Sequence, residues 1–124
     1  MPVPILKQGD VLIAFIQAAL TDKDLVRFRD ELGEAVGRWR SRAVVIDVTA
    51  LDVIDSFATR TVRGIAHTAR LRGARTLVVG IQPDVAFAMV QLGLTLEGVT
   101  TALDLEDGLA LLEEGGQRGS SDAR

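Results

Sequence analysis

The 124-residue chain is 48% hydrophobic and carries no cysteine, which bounds it to one modest domain and excludes disulfides, thiolate catalysis and cysteine–zinc sites. Its formal net charge of -3 and lack of a long basic run argue against a general nucleic-acid binder. The amino end lacks the basic start and sustained apolar run of a signal peptide, and no later run is long enough to span a bilayer, so no membrane role and a cytoplasmic location are expected.

In chain order, Pro4-Ile-Leu6 reads as a short edge strand, Gly9-Asp10 as a turn, and Val11 to Gln17 as a stronger strand, together an opening hairpin. Thr21-Asp-Lys-Asp24 has the pattern of a capping box. Behind it Leu25, Phe28, Leu32, Val36 and Trp39 recur at three- and four-residue steps and predict one apolar helix stripe. Gly33 and Gly37 weaken that helix by about 1 kcal/mol each relative to alanine, and close approach to a sheet is the expected reason for them.

Ala43 to Val48 is a β-branched run of the kind buried on both faces. A helix is predicted from Ser56 to about Leu71, ended by Gly73, and then a strand from Arg75 to Ile81. Pro83 suits the first position of a short helix reaching Leu92 before Gly93. A last strand near Val99 to Ala102 leads into the cap-like Asp104-Leu-Glu-Asp107 and a helix ending at Gly115-Gly116. Gln117 to Arg124 is expected to be a flexible polar tail. An opening strand pair followed by strand–helix alternation predicts an α/β domain over 1–116, with a mixed, mostly parallel sheet and about four helices. No internal repeat or linker interrupts it.

The segment Val53-Ile-Asp-Ser-Phe57 carries the most chemistry, since it sets a serine hydroxyl beside carboxylates where a loop enters a helix. Ser56 falls at or near the N-cap, where unpaired backbone donors and a partial positive charge suit either a capping oxygen or a phosphate. Plain capping and a chemical role both remain open from the pattern alone. A hydrolase nucleophile is disfavoured: there is no glycine-flanked elbow, and the single histidine, His67, lies eleven helical steps away, roughly 16 Å. His67 therefore reads as a surface or packing residue. Asp47, Asp52 and Asp55 do not match a calcium loop, no metal site is expected, and no phosphate-binding loop or dinucleotide fingerprint follows any strand.

Two further patterns stay open. Arg60, Arg63, His67 and Arg70 line one face of the second helix, either merely solvated or facing an acidic partner surface or a transferred phosphoryl group. Val85 to Leu92 is apolar on nearly every side, so this short helix is covered either by the final helix or by another chain.

Val44-Val-Ile-Asp-Val-Thr49 followed by Ile54-Asp-Ser-Phe57 resembles the phosphorylation-site region of STAS domains, the family of bacterial anti-sigma-factor antagonists. Pro4-Ile-Leu-Lys7, Gly80-Ile-Gln-Pro83, Val85-Ala86, Leu92-Gly93 and Thr101-Ala-Leu-Asp-Leu-Glu106 extend the resemblance over nearly the whole chain, toward the small single-domain scaffold members of the stressosome. The resemblance implies a non-enzymatic scaffold with no cofactor. On it, Ser56 is phosphorylated by a serine/threonine switch kinase and reset by a phosphatase, and Asp55, Arg60 and Arg63 are partner-binding candidates. It also implies co-assembly, as a homo- or hetero-oligomer, with longer paralogues that carry a sensory domain ahead of a similar STAS domain. Thr59, one turn on, has no matching family position, and packing or surface exposure is expected of it ahead of a role as a second acceptor. A stand-alone antagonist that binds an anti-sigma kinase directly is the alternative.

Overall fold

The computed structural model describes residues 3–122, with side chains through Glu114. Five strands, β1 (Ile5–Gln8), β2 (Val11–Phe15), β3 (Ala43–Asp47), β4 (Arg75–Val79) and β5 (Thr100–Ala102), form one sheet in sequence order. β1 and β2 are antiparallel and the remaining neighbours are parallel, the mixed sheet the sequence predicts. β1 begins after Pro4, whose carbonyl accepts from the Phe15 amide at 3.1 Å but which has no N–H to offer a ladder.

The central strands are apolar on both faces because both are covered. Leu12, Ala14, Val44, Ile46 and Val78 face α1 (Asp22–Trp39) and α2 (Ser56–Leu71), where Phe28, Leu32, Val36, Val62, Ile65 and Ala69 meet them. On the other face Val11, Ile13, Val45, Leu77 and Val79 pack beneath Leu105, Leu109 and Leu112 of α4 (Leu105–Asp122). Between β4 and β5 lies the short α3 (Pro83–Gln91), with proline at its start and only Val85 and Met89 buried.

The capping box at α1 forms in full: the Asp24 amide donates to the Thr21 hydroxyl at 3.1 Å and the Thr21 amide to the Asp24 carboxylate at 3.3 Å. The Thr21 hydroxyl and then its N–H hold the Asp24 carboxyl below its ordinary range. A group depressed in the folded state stabilises above its unfolded pKa, and that help is lost as pH falls through the folded value. Thr21→Ala is therefore expected to cost about 0.5–2 kcal/mol in urea unfolding at pH 7, with the difference from wild type shrinking as the carboxylate protonates.

Three expectations need correction, and one of two open alternatives is excluded. Trp39 is exposed rather than buried with its stripe, because the last turn of α1 precedes the left-handed Arg40 (φ 49°) and the ring instead lies under the Lys7 ammonium, 5.4 Å from its centroid. Gly33 and Gly37 do not approach the sheet. A Cβ on Gly37 would lie 2.0 Å from the Arg72 guanidinium, so this glycine seats an α2-terminal side chain, while Gly33 faces open space. The final helix does not stop at Gly115-Gly116 but runs to Asp122, since glycine disfavours a helix without forbidding it; only 123–124 of the expected tail lie outside the described residues. Nor does that helix cover α3: it occupies the far sheet face, and Phe87, Val90 and Leu92 stay 65%, 77% and 72% exposed.

Candidate functional site

The β3–α2 loop leaves the carboxyl end of a central parallel strand, where α/β sheets place their sites. Its shape is set by short-range bonds. Asp47 Oδ1 accepts from the Thr49 amide at 2.9 Å and the Thr49 hydroxyl at 2.6 Å, turning the chain as β3 ends. The Val48 amide still donates to Val79 O at 3.0 Å, and Gln82 Nε2 donates to Thr49 O at 2.8 Å. Gly80, at φ +83°, completes this brace: a Cβ there would lie 2.0 Å from Thr49 Oγ1.

Asp55, not Ser56, is the N-cap of α2. Its carboxylate accepts from the Ala58 amide at 2.8 Å, and its backbone is extended. Ser56 is thereby displaced to the first helical position, exposed, with no hydrogen bond to its hydroxyl among the described residues. The Asp side chain satisfies a helix-end donor that the sequence left open to the serine. Thr59 is 1% exposed and its hydroxyl donates to Asp55 O at 2.9 Å, so it packs and braces the helix start rather than presenting an acceptor.

An open groove of about 440 Å³ lies beside the serine, lined by Asp52 to Ser56, then by Asp84, Val85, Ala88, Leu92 and Leu94 from α3 and its exit. Asp52, Asp55 and Asp84 supply its charge, and no basic residue lines it. The α3 side and Val53 contribute exposed apolar surface. Arg60 lies over the Phe57 ring at 5.9 Å, one turn from Ser56. Arg63 is half-buried and shares a separate cavity with His67, Arg70, Glu97 and Gly98. The structure thus brings Ser56 and Asp55 together, sets Arg60 beside them, and leaves Arg63 further along the helix. Asp47, although bound to Thr49, does not converge with Asp52 and Asp55, and among the described residues no cluster of three or more metal-ligating side chains occurs. No described helix is long and apolar enough to cross a membrane.

Sequence reasoning missed the roles of Thr49, Gly80 and Gln82. The local signal for the first was present, an acid two residues before a threonine at a strand end, but the partnership with Gly80 and Gln82 spans some thirty residues and is set by the β3–β4 pairing.

The chain is 34% identical over 83 residues to the RsbT co-antagonist protein RsbRA of Bacillus subtilis (strain 168), a match over 67% of this chain and 30% of the relative. It thus spans under a third of the length of the curated relatives it matches. Among solved structures, a serine-to-glutamate variant of Moorella thermoacetica RsbS superposes with a TM-score of 0.81 at 36% identity, covering 93% of this chain and 97% of that one. A chain from the molecular architecture of the stressosome, described as a signal integration and transduction hub, gives 0.76 at 36% identity, with 91% and 98% covered. The family model of the STAS domain matches residues 3–108, and with that match and this sheet the chain belongs to the STAS domain family.

Proposed function

We propose that this protein is a non-catalytic, phosphorylation-controlled scaffold of a bacterial stress-response complex, in which Ser56 accepts a phosphoryl group from a serine/threonine switch kinase and a phosphatase removes it. The observation that carries the reading is the division of labour at the helix start. Because Asp55 does the capping, the Ser56 hydroxyl is surplus to the fold and exposed at a positive helix end. Similarity to RsbS, to a stressosome chain and to an RsbT co-antagonist supports the scaffold role and co-assembly with longer STAS paralogues.

Phosphorylation adds about -1.5 to -2 charge, against which a helix terminus supplies only about 0.3–1 kcal/mol. The groove already holds three carboxylates. At a separation of about 6 Å each unit pair repels by about 0.7 kcal/mol in a water-like dielectric and about 3 kcal/mol at an effective dielectric of 20. The phosphate therefore recasts the electrostatics of the docking surface around Ser56 without any need to refold the domain. The unmodified surface sequesters the kinase and the modified one releases it, with Asp55, Arg60 and Arg63 as contact candidates.

Ser56→Ala is expected to abolish phosphate incorporation by the cognate kinase while leaving circular dichroism and the melting transition nearly unchanged. Intact-mass analysis of both proteins after incubation with kinase and ATP checks it. Equal incorporation into the variant would reject Ser56 as the acceptor.

A further inference from the structure

The two outward helix faces on opposite sides of the sheet carry opposite charge. On α2 there is no acidic residue at all, and Arg60, Arg63, His67 and Arg70 recur at four- and three-residue steps on one face. The described side chains of α4, Leu105 to Glu114, include no basic residue, and Glu106, Asp107, Glu113 and Glu114 are all exposed. The buried residues fix the two as back and front: Val62, Ile65 and Ala69 of α2 join the core on one sheet face, and Leu105, Leu109 and Leu112 of α4 the core on the other. Among the described side chains the ion pairs are Arg29–Asp30 and Arg42–Asp10, so neither charged face is neutralised within the chain.

We propose that the basic face of α2 docks on the acidic face of α4 of a second copy, a front-to-back contact between sheets. The dimensions agree: Arg60 to Arg70 covers about 15 Å of helix and Glu106 to Glu114 about 12 Å. In an antiparallel arrangement Arg60 meets Glu113 and Glu114, and Arg70 meets Glu106 and Asp107. Leu71 and Leu103, both strongly exposed, then come to the same end and give the charged contact an apolar anchor. Glu97, in the cavity with Arg63, His67 and Arg70, offsets one of these charges without forming an ion pair to them. A net charge of -3 and a short cationic stripe favour this compact acidic face over an extended polyanion. Such a contact is heterologous: a docked pair retains one free face of each sign, α4 on one copy and α2 on the other, so copies add in rows unless the rotation closes a ring. Arg60 and Arg63 are also candidates for the kinase contact under the proposed function, so a second copy on this face competes with the kinase for it.

The test is sedimentation equilibrium of the full chain at about 20 mM and about 500 mM salt, since surface charge pairs are screened at the higher value. Wild type is expected to self-associate at low salt and to weaken at least about tenfold at high salt. Arg63→Glu with Arg70→Glu, and separately Glu106→Lys with Glu113→Lys, are each expected to weaken self-association at low salt by at least about tenfold. Mixing the two variants restores it, because each then offers the face the other lacks. Circular dichroism confirms that both fold; should either not, the salt series on wild type decides alone. A monomer at low salt, a salt-insensitive oligomer, or folded variants that associate as wild type does or fail to rescue one another would overturn the proposal.

Discussion

Gly80→Ala is expected to lower stability by about 2–4 kcal/mol and to disorder the loop that presents Ser56. Two costs combine. An L-residue forced into the left-handed region loses about 1–2 kcal/mol, and the new Cβ would lie 2.0 Å from the Thr49 hydroxyl and 3.1 Å from its Cα. Backbone atoms cannot swing away as a long side chain would, so β3–α2 and β4–α3 must separate. Thr49 then loses its bonds to Asp47 and Gln82, at 2.6 Å and 2.8 Å. Urea unfolding of Gly80→Ala, Thr49→Ala and the double variant checks this. The double variant should recover the part due to the hydroxyl collision and keep the conformational part, leaving a coupling of about 1 kcal/mol or more. Additive effects would show that the two residues do not brace one another.

The second large effect lies one layer deeper. Phe28 is almost fully buried on α1, and it lines a partly open pocket of about 100 Å³ together with Leu51, Val53, Ile54 and Asp55. Phe28→Ala is expected to cost about 3–5 kcal/mol, near the upper end for a core truncation, because the deleted ring enlarges space that already exists and α1 and α2 cannot close it without leaving the sheet. With domain stabilities of about 5–15 kcal/mol, that approaches unfolding. The expected observation is a large drop in urea midpoint at constant m-value, with Phe28→Leu losing clearly less. A loss under about 1 kcal/mol would mean that the loop does not rest on this ring.

What the sequence made legible was local or periodic. The β-branched runs gave three central strands, Thr21 and Asp24 gave a capping box, and Pro83 with Gly93 bracketed α3. The choice between adjacent capping residues was not legible, since Asp55 and Ser56 are equally good caps and Ile54, half-buried against the core, sets where the helix starts. Trp39 followed its period into a position the sheet does not reach, and periodicity cannot see where a sheet ends. The glycines show the same limit. Gly37 and Gly80 answer to Arg72 and Thr49, thirty or more residues away, whereas Gly73 and Gly93 answer to their own helices and were placed correctly. The charge of α4 was visible in sequence, but that it opposes α2 across the sheet needed the topology.

Under the proposed function these placements make a switch economical, since a serine released from capping would be modified at little cost to the fold. The most direct measurement is phosphosite mapping of the protein purified with its partners from its native cell. The account expects phosphate on Ser56, none on buried Thr59, and a serine kinase together with a longer STAS paralogue in the same preparation. Phosphate confined to another residue, with Ser56 unmodified while the kinase is active, would contradict it.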